Sequence, residues 1–495
     1  MRRLPRVILI FVGLFFLSPT QAPDATRLPR LAYTVRIPTL ADGRIGVSLL
    51  VSNLDPASPL IIRSVPLYMD NPVAAADGPM VIGFQATDSP SGERLGVTAR
   101  DDKDGETVYQ IANQDKTAVR IDYQVRVRLR ESDQTRAYPI RIPYLNRKQT
   151  LLYGNYLFCY PELGKDKQES ASVPLQIGVD LQPPDGAFFW GIARRFSVHT
   201  IYQLMSLHFG LGAYEEDRLP VTGIRLSVVY ERIKDFSSEE RQALRKVVPV
   251  AFEAVRELFG ETPFDHFSVL VFRDQAVGGM EGTFACQVFG PRDLDMANAG
   301  IAGTRNFYSI ITHEIFHSWN PIAAFPRDDP WIKEGVTNYY GEVLSARAGL
   351  VKEDDLVNTF RYYVRQLDRN DLMKKVSLTD PIIWQNEYLN EDWRTITYER
   401  GKAVALLLDL QIRENSGNRR CLDDVMRYLY RQYRNRSYSH EEFESAASAA
   451  TGVDLSGFFR DYVAGTRVPS EREIESARKR ISELGVYEAA LQTVR

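Results

Sequence analysis

Thr312-His313-Glu314-Ile315-Phe316-His317-Ser318-Trp319-Asn320 carries His-Glu-x-x-His on a segment of helical pattern. Residues i and i+4 share a helix face, so His313 and His317 can turn two imidazoles toward one ion. Glu314 then lies beside them, where a carboxylate can take a proton from a water that the ion polarises. An ordinary core helix could carry the same letters by chance. With 6 His in 495 residues, and all 64 acidic residues counted as Glu, random order gives such a match about once in a hundred chains. The spacing therefore predicts a zinc centre.

A zinc that does chemistry needs three protein ligands and one open position. The metzincin continuation would place Gly at Asn320 and His at Ala323, and neither is present. Pro321 ends the first helix, and Pro326 and Pro330 mark a loop. After it, Trp331-Ile332-Lys333-Glu334-Gly335-Val336-Thr337-Asn338-Tyr339-Tyr340 begins a second helical segment. Glu334, in its first turn, is the expected third ligand. Asp328 and Asp329 in the loop are alternatives, as is Glu342, which lies about 12 Å further along at ~1.5 Å per residue. Asn338 is placed to brace a ligating His from behind.

These two segments, together with Pro263-Phe264-Asp265 and Gly278-Gly279-Met280-Glu281 upstream, resemble the glycyl aminopeptidase family of gluzincins, distant kin of the aminopeptidase N group. The resemblance implies one zinc per chain on His313, His317 and Glu334, with Glu314 as general base. It also implies that Gly278, Gly279, Met280 and Glu281 bind substrate, the glycines admitting the peptide backbone and Glu281 accepting a free α-amine. Tyr398, in Tyr398-Glu399-Arg400-Gly401, is similar to the tyrosine whose hydroxyl stabilises the oxyanion in that family. Read alone, Gly278 to Glu281 could be an exposed turn, and one Tyr among 25 is more often core or surface. Three departures stand out. Gly282 replaces the His or Asn that often comes after the glutamate, and the loop 322–329 lacks the family's basic run. The 29 residues after Thr466 are too few for the PDZ domain that commonly comes next.

Composition excludes several other classes. A hydrophobic share of 44% with 25% charged residues fits an ordinary globular protein of two or three domains. A net charge of −3 without a basic cluster gives no nucleic-acid footprint. Cys159, Cys286 and Cys421 form neither a CxxC pair nor an even set. Arg2, Arg3 and Arg6 precede the apolar run 7–17 and then Thr20-Gln21-Ala22, the layout of a secretory signal over residues 1–25. That run is shorter than the ~20 residues of a permanent span. Export to a periplasmic or extracellular space is the expectation, with an uncleaved N-terminal anchor as the alternative because Pro23 comes directly after the cleavage site.

Along the chain, Val119 to Leu129 alternates apolar and polar residues, and Ile45–Leu49 and Leu175–Leu181 repeat that period, as half-buried strands do. The Arg row at 120, 126, 128 and 130 then falls on the wet face. Ser237-Ser238-Glu239-Glu240 is a capping box opening a helix toward Gly260. Phe267 to Phe272 reads as a buried strand leading to Gly278, and helices dominate from Asn306 on. The expected fold is multidomain: an all-β sandwich over 28–185, then an α+β thermolysin-like domain over 186–466 with a helical second half. A helical tail over 467–495 carries Ile474, Ala477, Ile481 and Leu484 on one stripe.

The activity so implied is a zinc aminopeptidase that removes small N-terminal residues from peptides. A zinc endopeptidase of the same fold, or a catalytically silent peptide-binding scaffold, are the alternatives. The partner expected is a peptide with a free N-terminus, with neither nucleic acid nor a stable membrane span.

Overall fold

Strand Ala118–Arg126 shows the alternation its sequence demands: Val119, Ile121, Tyr123 and Val125 are buried while Arg120 and Arg126 face solvent. In this computed structural model the described residues are 28–486 apart from 38–42, 65–80, 103–105, 128–143, 146–147, 166, 186, 298–300, 303–304, 327–328, 353–361, 368 and 387–389. The proposed leader, Asp328, Arg128 and Arg130 lie outside them.

Ala118–Arg126 sits inside a seven-stranded sheet. Its order is Arg195–Val198, Gln176–Gln182, Arg30–Arg36, Arg44–Ser52, Ala118–Arg126, Val81–Asp88, Arg94–Leu95. Two four-stranded sheets complete the N-terminal layers, one built on Gln149–Tyr153 and His208–Gly212, the other on Leu60–Arg63 and Thr107–Ile111. Strands Phe189–Trp190, Arg195–Val198 and His208–Gly212 all pair with strands that precede residue 185 or with one another. The pairing thus carries the N-terminal layers past the expected boundary, through Gly212. Pro183 and Pro184 interrupt the chain, but backbone ladders, not local composition, decide which sheet a strand joins.

The second half opens on a five-stranded sheet ordered Glu215–Leu219, Arg225–Tyr230, His266–Arg273, Ala285–Gly290, Gly278–Met280. Its two faces are buried in different cores. Val228, Tyr230, Val269, Val271, Cys286 and Val288 pack with the helices, whereas Val229, Leu270, Phe272, Ala285 and Phe289 pack with the N-terminal strands. Burial on both faces is why Val269 to Phe272 reads as a continuous apolar run rather than an alternation.

Helix Ser238–Phe259 covers the helix-side face. Ser237 Oγ accepts from the Glu240 amide at 3.1 Å, and the Glu240 carboxylate accepts from the Ser237 amide at 3.0 Å, which completes the box. Gly260 closes the helix at φ 82°, a left-handed conformation that suits glycine. Helix Phe307–Phe316 packs between it and helix Thr337–Arg347, all three in one core. The tail helix Glu471–Glu483 buries Ile474, Ala477 and Ile481 in that core, and Leu484 packs partly against it. Among the described residues no helix is long and apolar enough to cross a membrane.

Candidate metal centre

Helix Phe307–Phe316 is buried along its whole length, so its His and Glu must find partners inside the protein. His317 Nδ1 donates to the Asn320 carbonyl at 2.9 Å. A carbonyl can only accept, so Nδ1 carries a proton and Nε2 is the nitrogen turned to the site, able to ligate once a metal displaces its own proton. His313 Nε2 lies 2.9 Å from His317 Nε2. Glu334 brings Oε2 to 3.5 Å from His313 Nε2 and 3.4 Å from His317 Nε2.

These spacings can be set against a metal. Two ligands at tetrahedral angles and bond lengths of about 2.1 Å stand about 3.4 Å apart. Both carboxylate-to-imidazole distances meet that edge; the two nitrogens are closer and must part by roughly half an ångström. Two imidazoles and a carboxylate are also a donor set that suits zinc. The electrostatics agree. Burial pushes the His317 imidazole down, but the Glu334 carboxylate against it prevails and holds it up, at about 9. Burial likewise opposes the charge on Glu334, yet Lys333 and then His317 keep its carboxyl well below the usual range. A site that holds a proton so firmly favours a cation.

Of the alternative ligands, Glu342 pairs with Lys402 Nζ at 3.1 Å, and that ammonium also meets Glu399 at 2.9 Å. Asp329 is buried with His440 Nδ1 at 3.7 Å. Glu334 is the described carboxylate that reaches both imidazoles, apart from Glu314, whose Oε1 stands 3.9 Å from His313 Nε2. Glu314 forms a cluster with His313 and His317 in which the candidate ligand atoms all lie within 4.8 Å of one another. Its longer spacing suits contact through one water rather than direct ligation.

The segment bearing Glu334, Trp331–Val336, is a widened π-type turn, and so is Thr395–Arg400, which bears Tyr398. Such turns recur at functional sites. The two cross where glycines let them touch: a Cβ on Gly335 would come 2.6 Å from Gly401 Cα. That contact brings Tyr398 to His313, ring centroids 6.5 Å apart and nearly parallel. The Asn338 amide donates to the Tyr398 carbonyl at 3.3 Å, so it ties these segments together.

Edge strand Gly278–Met280 runs past Glu314. A Cβ on Gly279 would fall 2.3 Å from Glu314 Cγ. Gly279→Ala must therefore push the carboxylate aside, and displacements of about 1 Å at reacting groups cost about 10²-fold in rate. The expected result is that loss in kcat with zinc content unchanged, read from steady-state kinetics beside metal analysis. Gly282 has its own reason. A Cβ there would meet the Ala285 carbonyl at 2.5 Å and His208 Nδ1 at 2.8 Å, so the chain's own next turn and the N-terminal layers together leave no room for the His or Asn expected from the resemblance.

Glu281 and Lys333 share the rim of the centre. Lys333 Nζ lies 2.8 Å from Glu281 Oε1 and 3.1 Å from Glu334 Oε1. Glu334 thus turns one oxygen to the imidazoles and the other to an ammonium. Sequence reasoning gave Lys333 no role, although it stands next to the expected ligand. It also missed Asn320 as a hub: Nδ2 donates to the Ile332 carbonyl at 3.1 Å and to Thr337 Oγ1 at 3.2 Å, while Oδ1 accepts from Tyr438 OH at 3.2 Å. Asn320 stands inside the quoted motif, but nothing local marks Tyr438.

No curated protein matches the chain in sequence. Residues 245–462 match the family described as "Peptidase family M1 domain". Among solved structures, the chain is similar to an aminopeptidase N family protein from Idiomarina loihiensis, with 20% identity, a TM-score of 0.60, and coverage of 88% of this chain and 76% of that one. Native yeast LTA4 hydrolase is similar at 14% identity and a TM-score of 0.58, over 89% and 70% of the two chains. A mutant M1 zinc metallopeptidase from Deinococcus radiodurans, bound to a Tyr-Ser-Ala substrate, is similar at 15% identity and a TM-score of 0.57, over 89% and 95%. Likeness at these identities establishes a shared multidomain fold, and the family match bears on the half that holds His313, His317 and Glu334. Residues 245–462 match a peptidase family M1 domain, and the chain that carries this match is a metallopeptidase.

Proposed function

We propose that this chain is a zinc aminopeptidase, with one zinc per chain held by His313, His317 and Glu334. The observation that carries this reading is the position of Glu281. It closes the edge strand beside Glu314 and is linked through Lys333 to Glu334, so a carboxylate stands at the rim of the metal cluster, where a substrate's α-amine would enter. The tripeptide bound by the Deinococcus metallopeptidase is in keeping with it.

A zinc ion bound there supplies a Lewis acid that polarises the scissile carbonyl and makes water acidic enough to attack near neutral pH. Everything else falls to the chain. Strand Gly278–Met280 offers its backbone to the peptide as an added strand, the glycines allowing close approach. Glu314 takes the proton of the attacking water and passes it to the leaving amine. Tyr398 donates its hydroxyl to the oxyanion as charge develops. Glu281 fixes the register by receiving the α-ammonium, so that one residue is released per turnover; small residues such as Gly or Ala are the proposed leaving residues. We read residues 1–25 as an export signal, which places the activity in a periplasmic or extracellular space.

N-terminal acetylation is the test. Ala-Ala-type peptides with a free amine should be cleaved and their N-acetyl forms left intact, as followed by chromatography of products. Undiminished cleavage of acetylated peptides, or cuts in the interior, would instead make the chain an endopeptidase.

A further inference from the structure

We propose that Lys333 is a resident cation of the amine subsite: its ammonium occupies the place that the substrate's α-ammonium takes, and substrate binding is an exchange of one for the other. The proposal rests on Glu281 being the amine acceptor. Lys333 Nζ bridges Glu281 Oε1 at 2.8 Å and Glu334 Oε1 at 3.1 Å, with all three side chains largely buried. Glu334 Oε2 faces His313 and His317, so once a metal sits there the charge of Glu334 is met from that side. Glu281 is then the anion that Lys333 chiefly serves.

A second ammonium cannot simply join the first. Two like charges a few ångströms apart in a partly dry site repel strongly. Nor can Lys333 leave without a replacement, since that would strand buried carboxylates beside each other. Exchange satisfies both demands, because one ammonium enters as the other withdraws. Lysine suits this part: its charge is a compact point on a flexible four-carbon stem, without the planar fork by which arginine locks onto a carboxylate. An N-acetylated peptide brings no cation and so has nothing to exchange. Lys333 is thereby a specificity-determining residue: it weakens every ligand that must displace it, and so sets the margin by which a charged N-terminus is preferred over a blocked one.

The experiment compares wild type with Lys333→Met and Lys333→Arg, measuring zinc content, KM for a free-amine peptide and inhibition by the matching amino-acid amide and its N-acetyl form. Lys333→Met should lower KM and the amide's inhibition constant about 10-fold, leaving the weak N-acetyl inhibitor unchanged. Lys333→Arg, whose guanidinium grips a carboxylate with two N–H groups, should raise both about 10-fold with zinc content unaltered. A KM that ignores these changes while free-amine cleavage still requires Glu281 overturns the exchange. Should Lys333→Met fail to fold, an unchanged KM in Lys333→Arg overturns it alone. Failure of the aminopeptidase reading looks different, since wild type itself would then cleave acetylated peptides.

Discussion

Glu314→Gln is expected to lower kcat by about 10³-fold, within the range that a positioned acid–base group contributes, while the zinc content stays at the wild-type level. The reason is geometric. Glu314 Oε1 stands 3.9 Å from His313 Nε2, beyond the edge shared by Glu334 and the two imidazoles. Its removal as a base leaves His313, His317 and Glu334 in place. Glutamine preserves the volume in a buried slot whose wall, Gly279, has no room for more. The amide still holds a water by hydrogen bonding but cannot accept its proton at neutral pH. About 10³-fold corresponds to roughly 4 kcal/mol of lost transition-state stabilisation. Because the proton is handled during reaction and not during binding, the loss should fall on kcat with little change in KM. Single-turnover kinetics and metal analysis of the same preparation check both halves.

Glu334→Ala should abolish activity by a different route, through loss of the metal. Removing one of three ligands leaves two imidazoles, which do not hold zinc against dialysis. The scaffold has reason to survive. The turn bearing Glu334 is anchored by Asn320 on the Ile332 carbonyl and by the Lys333 amide on the Asp329 carbonyl at 3.1 Å, neither of which uses the carboxylate. A folded, zinc-poor and inactive variant, judged by circular dichroism and metal analysis, is the expected result. Full zinc and full rate would send the third ligand elsewhere. Glu342 would have to give up Lys402, and Asp329 its place beside His440.

The legible parts of the sequence are those whose periodicity or spacing depends on neighbours nearby in the chain. The alternation of Ala118–Arg126 and the Ser237–Glu240 box need no tertiary information. The convergence of His313 and His317 arises from helix geometry alone, and the reach of Glu334 from the short loop before it. The edge of the N-terminal layers is not legible, because Arg195–Val198 and His208–Gly212 are placed by ladders to strands earlier in the chain. Nothing marks Lys333 until Glu281, 52 positions upstream, is folded against it. Asn320 is one more polar letter until Tyr438 and Thr337 close around it. The Gly282 departure, too, acquires its cause only in the fold, where the Ala285 carbonyl and His208 close around it. Sites are assembled by contacts that sequence spacing does not reveal, whereas the elements that carry them are local.

Every role proposed for the site depends on His313, His317 and Glu334 together holding a zinc ion. Diffraction data collected on either side of the zinc absorption edge, from crystals of the full chain, test this most directly. A single anomalous peak is expected, bonded at about 2.1 Å to His313 Nε2, His317 Nε2 and Glu334 Oε2, with Glu314 outside bonding distance. A peak that excludes Glu334, one ligated by Glu314, or no peak from protein prepared with zinc would contradict it.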